Sequence, residues 1–215
     1  MAIPFRDRTE GGRKLAVRLA KYANRPGVLV LALPRGGVPV AVEVAKALNA
    51  PLDVFLVRKL GVPGNEELAM GAIASGGVQV LNRDVVDKLR ISRQTIDAAA
   101  AREMKELARR ERLYRGERPA PSVRRRIVIL VDDGLATGST MHAAVAALRK
   151  LHPAKVIVAV PTAAADTCEE FKAEVDEIVC VETPEPFYSV GTWYENFSQV
   201  TDSQVREMLE LQPVP

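Results

Sequence analysis

Ile127-Val128-Ile129-Leu130-Val131-Asp132-Asp133-Gly134-Leu135-Ala136-Thr137-Gly138-Ser139-Thr140-Met141 is the stretch on which the reading of the chain turns. Five β-favouring apolar residues run straight into two adjacent carboxylates. A loop of small residues follows, and the Ala/Leu-rich run His142 to Leu151 then reads as a helix. Strand, acid pair, small-residue loop and helix come in that order. Such a loop aims backbone N–H groups and a helix N-terminus at one point, which suits a phosphate. Acids at the carboxyl end of a strand stand where open α/β sheets bind ligands. Carboxylates accept hydrogen bonds from hydroxyls and repel phosphate, so the expected ligand carries a phosphate at one end and a diol beside it. The same loop is expected to hold a sulfate or phosphate ion without substrate.

Three other readings fit less well. A Walker loop needs four residues between its glycines and then Lys; only three separate Gly134 from Gly138, and no lysine follows. A response-regulator receiver carries its acid-ended strand at the domain start, not this far along the chain. A plain strand-turn-helix with a capping hydroxyl explains Thr137 or Ser139. It does not explain two like charges side by side.

Upstream, Asp7 or Thr9 is expected to cap a first helix with Leu15, Leu19 and Ala23 on one face. Val28 to Leu33 is a continuous apolar run, read as a buried parallel strand. Pro34-Arg35-Gly36-Gly37-Val38-Pro39 follows it, and Val40 to Leu48 reads as a helix. Two glycines let backbone approach a bulky anion, and Arg35 adds a permanent charge. Asp53 to Val57 is the next strand. It leads into Arg58, Lys59 and a Gly/Pro-rich run to Glu67, read as a mobile cationic flap. Ala69 to Ala74 and Val78 to Leu81 read as a hairpin. Ser92 starts a long helix, Arg93 to Arg115, with Ile96, Ala100, Met104 and Leu107 as its apolar stripe. Arg109, Arg110, Arg112, Arg115 and Arg118 make one end basic, with Arg124 to Arg126 beyond. Interspersed glutamates and the lone Tyr114 favour a solvated or subunit-packing helix over a nucleic-acid contact.

Downstream, Lys155 to Val160 is a strand, Ala163 to Lys172 a short helix and Ile178 to Val181 a last strand. Residues 187 to 197 hold five of the chain's ten aromatics, Phe187, Tyr188, Trp193, Tyr194 and Phe197. Aromatics on so irregular a segment suit stacking on a flat base. Asp202 to Leu211 closes as a helix. Alternating apolar strands and helices predict an α/β fold, a mostly parallel twisted sheet with helices on both faces.

Composition sets outer bounds. The 215 residues suffice for one α/β domain, with 47% hydrophobic and 27% charged residues. The net charge of +3 suits anionic substrates but does not argue for nucleic acid. No apolar run reaches membrane-spanning length, and Met1 to Arg8 has no signal-peptide core. Cys168 and Cys180 show no metal or redox spacing and are expected to be reduced. A cytoplasmic protein is the expectation.

The acid-pair stretch resembles the phosphoribosyl diphosphate (PRPP) motif of the type I phosphoribosyltransferases: an apolar strand, two acids, then a loop ending in Thr-Gly-small-Thr. Its loop looks most like the adenine branch, and the whole chain is similar to the uncharacterised bacterial phosphoribosyltransferases. The resemblance spans roughly Val28 to Val181. It implies a single domain over 1–215, with a core near 28–181, a hood from 1–27 and 182–215, and a helical insertion near 84–118. It further implies that Asp132 and Asp133 hold the ribose hydroxyls, and that Ala136, Thr137, Gly138, Ser139 and Thr140 cradle the 5-phosphate. Arg35, Gly36 and Gly37 would hold the diphosphate in a loop that often contains a cis peptide, and Arg58 and Lys59 would cover it as a flexible loop. Phe187, Tyr188 and Trp193 would border the acceptor. The implied reaction is attack by a base nitrogen on C1 of PRPP, a nucleotide-salvage chemistry. Mg²⁺ would come with PRPP, with no protein side chain assigned to it, and a homodimer is expected. Hypoxanthine-guanine enzymes carry an aspartate where this chain has Ala136 and a lysine near Val160-Pro161-Thr162, so a 6-oxopurine acceptor is not implied. The second reading is a non-catalytic PRPP sensor of the same fold, touching RNA or DNA through Arg102 to Arg126.

Overall fold

The computed structural model describes residues 3–211. Its main sheet has five parallel strands: β1 (Val28–Ala32), β2 (Leu52–Val54), β6 (Ile127–Val131), β7 (Lys155–Thr162) and β8 (Glu177–Glu182). They lie in the order β2-β1-β6-β7-β8, so the chain runs outward from β1 to β2 and later returns to β1's other side. A three-stranded antiparallel sheet stands beside it: β3 (Val57–Val62), β4 (Asn65–Ala74) and β5 (Val78–Leu81).

The apolar strand runs are buried on both faces because helices cover both. Val28, Val30 and Ala32 of β1 point into one core, and Leu29 and Leu31 into the other. The first core contains residues of α1 (Arg8–Arg18), α2 (Gly37–Leu48), α4 (Arg93–Arg115) and α7 (Asp202–Glu210). The second is closed by α5 (Ser139–Lys150) and α6 (Ala165–Phe171), through Met141, Val145, Leu148 and Phe171. The remaining helix, α3, is the short Arg83–Lys88. No helix among the described residues is long and apolar enough to cross a membrane.

Local signals explain most boundaries. The Asp7 carboxylate accepts from Glu10 N–H and starts α1. Ser92 Oγ accepts from Thr95 N–H at 3.1 Å and starts α4 at Arg93. Thr201 and Gln204 form a capping box at α7.

Several expectations need correction. The strand expected over Asp53 to Val57 is split, because the chain leaves the main sheet after Val54 and enters the second sheet at Val57. Arg58 and Lys59, expected on a mobile loop, stand in β3. The glycines and proline that read as loop are a β-bulge around Gly61 and a turn at Pro63-Gly64, where Gly64 has φ +82°. Helix α2 begins at Gly37 rather than Val40. Ala99, not Ala100, is buried with Ile96 and Leu107 on α4, while Met104 stays partly exposed. Arg115 is not part of a basic surface. It is buried, bonded to Asp53 at 2.9 Å and to Val54 O at 2.6 Å. Cys168 and Cys180 are joined as a disulfide, because α6 folds back beside β8 and brings together two residues that the spacing did not pair.

Candidate functional site

Strands β1 and β6 are parallel neighbours in matched register, Ala32 opposite Val131. Their C-terminal loops therefore leave the sheet side by side, where the strand order reverses. That is the crevice where open α/β sheets bind ligands. Pro34 to Gly37 comes from β1, and Asp132 to Gly138 from β6.

The two loops are in close contact. A Cβ built on Gly36 would lie 2.0 Å from Asp133 Oδ2, and one on Gly37 would lie 2.7 Å from Val131 O. Only glycine allows this approach of backbone to acid pair. The Pro34–Arg35 peptide is cis. Arg35 reaches Asp202 at the start of α7, 3.7 Å away.

The two acids are half-buried and inequivalent. Asp132 Oδ1 accepts the Asp133 backbone N–H at 2.8 Å. Asp133 Oδ2 accepts from Arg8 Nε at 2.7 Å. Burial and the adjacent Asp133 charge push the Asp132 carboxyl well above the usual range. Burial also raises Asp133, but Arg8 works against that rise.

Beyond the acids the loop is tied down by its backbone. Leu135 N–H donates to Thr162 O at 3.0 Å, and Ala164 N–H donates to Leu135 O at 2.9 Å. Thr167 Oγ1 donates to Ala136 O at 2.6 Å. Gly138, with φ +66°, ends the loop as the N-cap of α5, and no side chain caps that helix. Its first N–H groups therefore remain available to a ligand, with the helix dipole behind them. Ala136, Thr137, Ser139 and Thr140 border this helix start, and Thr137, Ser139 and Thr140 are exposed. Asp132 and residues 134–141, with Val190, line a pocket of about 200 Å³.

The segment before α1 and the segment after β8 meet over this crevice. Phe5 N–H donates to Trp193 O at 2.9 Å, and Glu195 N–H to Phe5 O at 2.8 Å. The Tyr194 hydroxyl donates to Asp133 O at 2.6 Å, and burial drives that phenol's ionisation well upward. Val190, not an aromatic, touches the loop at Gly134. Phe187 lines a separate pocket of about 560 Å³ with Ala164, Ala165 and Pro186. Tyr188 is 81% exposed. The indole N–H of Trp193 is buried without a hydrogen-bond partner among the described residues.

Arg58 is held by Glu103 of α4, Nη2 to Oε2 at 2.7 Å, and Lys59 is exposed. The arginines of α4 are largely matched by acids: hydrogen bonds from Arg109 and Arg110 hold the Glu106 carboxyl down at about 2. A cavity of about 360 Å³ beneath the 118–124 linker contains none of the candidate residues. Sequence reading missed Arg8 and Tyr194 as neighbours of the acid pair. Neither lies near it in the chain, and no local pattern marks them.

A family model described as phosphoribosyl transferase domain matches residues 7–194. This chain belongs to that family. It is 47% identical over 206 residues to a Mycobacterium tuberculosis protein named "Putative phosphoribosyl transferase", covering 96% of this chain and 46% of that protein. It thus spans about half the length of the curated relatives it matches. The crystal structure of the TT1426 protein from Thermus thermophilus superposes with a TM-score of 0.85 at 43% identity, covering 96% of this chain and 98% of that one. The AQ2163 protein from Aquifex aeolicus shares the fold alone, with a TM-score of 0.51 at 14% identity, covering 94% of this chain and 84% of that one.

Proposed function

We propose that this protein transfers the 5-phosphoribosyl group of PRPP to a nitrogen of a nucleobase-like acceptor, releasing diphosphate. The observation that carries this reading is the meeting, in one strand-end crevice, of an acid pair with a backbone-lined anion loop. A sugar phosphate with vicinal hydroxyls matches that pair of features. In this reading Asp132 and Asp133 accept from the ribose hydroxyls through their remaining oxygens. Ala136 to Thr140 hold the 5-phosphate on the α5 N-terminus.

Arg35, Gly36 and Gly37 would face the diphosphate, the missing Cβ atoms letting their loop pack directly against the acid-pair loop. Among the described residues no three His, Cys, Asp or Glu side chains cluster to cage a cation. Mg²⁺, which keeps its waters and binds through substrate phosphates, would enter together with PRPP. Bound with PRPP, it would neutralise charge on the departing diphosphate. The protein's own part is positioning and electrostatics. The C1–O bond to diphosphate breaks as the acceptor nitrogen attacks, positive charge builds on the ribose, and Asp132 and Asp133 stand beside that sugar. Arg35 would turn from Asp202 to the growing negative charge, and Arg58, on release from Glu103, and Lys59 would bring further positive charge from the β3–β4 ribbon.

The hood over the crevice consists of the N-terminal segment and residues after 182; Phe187 and Tyr188, which stand apart from the acid-pair pocket, would have to move with Trp193 to border the acceptor. The test is a screen of bases and other nitrogen acceptors for PRPP-dependent diphosphate release. Release with one acceptor class supports the reading, and none across the panel from folded, PRPP-bound protein counts against it.

A further inference from the structure

The geometry points to Arg8 as a positioning residue of the acid pair: clamped by Phe197 and Ser198 of the segment before α7, its guanidinium fixes Asp133 in the charged, oriented form that a diol requires. The inference rests on the PRPP reading for its ligand but not for its contacts.

Arg8 is the first residue of α1, and its Nε lies 2.7 Å from Asp133 Oδ2. The two side chains are only 11% and 14% exposed, so this is not a surface pair. The guanidinium has two further anchors. Nη1 donates to Ser198 O at 2.8 Å, and the group lies 3.9 Å from the Phe197 ring centroid. Phe197 stacks on Tyr194, with centroids 5.3 Å apart, and the Tyr194 hydroxyl returns to Asp133 O. The acid is therefore gripped through both its side chain and its carbonyl. Both grips belong to segments far from it in sequence.

Stability does not account for such a contact, since a buried ion pair is weak evidence for it. Function at the acid pair does. Two carboxylates side by side, partly shielded from water, cannot both ionise easily. A cation on one of them breaks the tie, favouring the charged form at Asp133 over that at Asp132. The groups facing Asp133 are Asp132, Arg8 and Tyr194; Arg35, on the adjoining loop, is turned to Asp202. An ionised carboxylate accepts a hydroxyl's hydrogen bond more strongly than a neutral acid. Arg8 thus acts on substrate through Asp133 and through the closure of the segments before α1 and after β8 over it.

The test compares wild type, Arg8→Gln and Arg8→Lys. PRPP affinity, with Mg²⁺, is measured by calorimetry between about pH 4 and about pH 9, a span that starts at the ordinary aspartate value and extends upward from it. Thermal unfolding at each pH checks the fold. Arg8→Gln should weaken PRPP about tenfold near neutral pH, the loss of one charge-assisted contact. The deficit should close as pH rises, and Arg8→Lys should recover most of the affinity. Equal deficits at every pH, or no deficit, would overturn the proposal. A second readout needs no PRPP. With aspartate ¹³C-labelled at the carboxyl and the Asp133 signal assigned by Asp133→Asn, that signal should titrate at higher pH in Arg8→Gln than in wild type. Should Arg8→Gln not fold, the same titration is read in Arg8→Lys, where a smaller upward displacement is expected. Identical titration curves overturn the proposal. A wild type that binds no PRPP would defeat the functional reading, while the carboxyl titration still decides the role of Arg8.

Discussion

Replacing Gly36 with Ala should separate binding from folding. Gly36 has φ −59° and ψ −34°, a right-handed helical conformation that alanine adopts without strain. The backbone therefore raises no objection, and the whole effect comes from space. The new methyl would sit 2.0 Å from Asp133 Oδ2 and 2.6 Å from its Cγ. Ordinary contact starts near 3.4 Å, so the carboxylate or the loop must retreat by roughly 1 to 1.5 Å. A movement of that size breaks the 2.7 Å contact with Arg8 and swings the acid away from a bound sugar. Overpacking costs about 1–3 kcal/mol, offset by ~0.4–1 kcal/mol from the stiffer unfolded chain. The protein should thus melt only a few degrees lower. Misplacement near 1 Å in a reacting geometry costs on the order of 100-fold, and diphosphate release should fall by that much. A diphosphate-release assay and a thermal melt on the same sample read both effects. A Gly36→Ala protein that folds and releases diphosphate within about twofold of wild type, well inside that 100-fold, would refute the placement of Asp133 at the ligand.

Other expected outcomes follow from the same contacts. Asp132→Asn should stabilise the ligand-free protein at neutral pH. The Asp132 carboxyl is raised in the folded state, so folded protein binds more protons than unfolded above about pH 4, and stability falls as pH rises through that window. The variant's melting advantage at pH 7, about 2–4 °C for each 1 kcal/mol, should vanish near pH 4. Arg115→Met leaves Asp53 buried without its partner and should cost ~3–5 kcal/mol in denaturant unfolding, much of it recovered by adding Asp53→Asn. Trp193 is the chain's only tryptophan, so its emission should change when PRPP and a true acceptor bind together. An unchanged spectrum, with normal turnover by Phe187→Ala and Trp193→Ala, would reduce the aromatic segment to packing.

The sequence showed most clearly what is local. The β6 stretch, its acids and the helix after it are contiguous, so period and residue type suffice to read them. Helix α4 was legible from Ser92 to Arg115 because its cap and charge pattern lie on one continuous segment. What escaped depends on distant partners. Arg8 lies 125 residues from Asp133, and nothing in Asp7-Arg8-Thr9 distinguishes it from a helix-face cation. Arg115 reads like its basic neighbours, and only the fold brings it to Asp53. The Arg58–Lys59 segment misled through its glycines and proline, which mark loops and ribbon turns alike. Tyr194 was noticed for its ring, whereas its contact with the acid pair is made by its hydroxyl.

The account stands most directly on PRPP at the acid pair. Calorimetric titration of PRPP with Mg²⁺ into wild type and into Asp132→Asn/Asp133→Asn, both checked for folding, measures this alone. Saturable one-site binding to wild type is expected, with loss of most affinity in the double variant, because Asn offers the ribose hydroxyls a weaker acceptor than the acid pair it replaces. Equal affinity in the two folded proteins would contradict it.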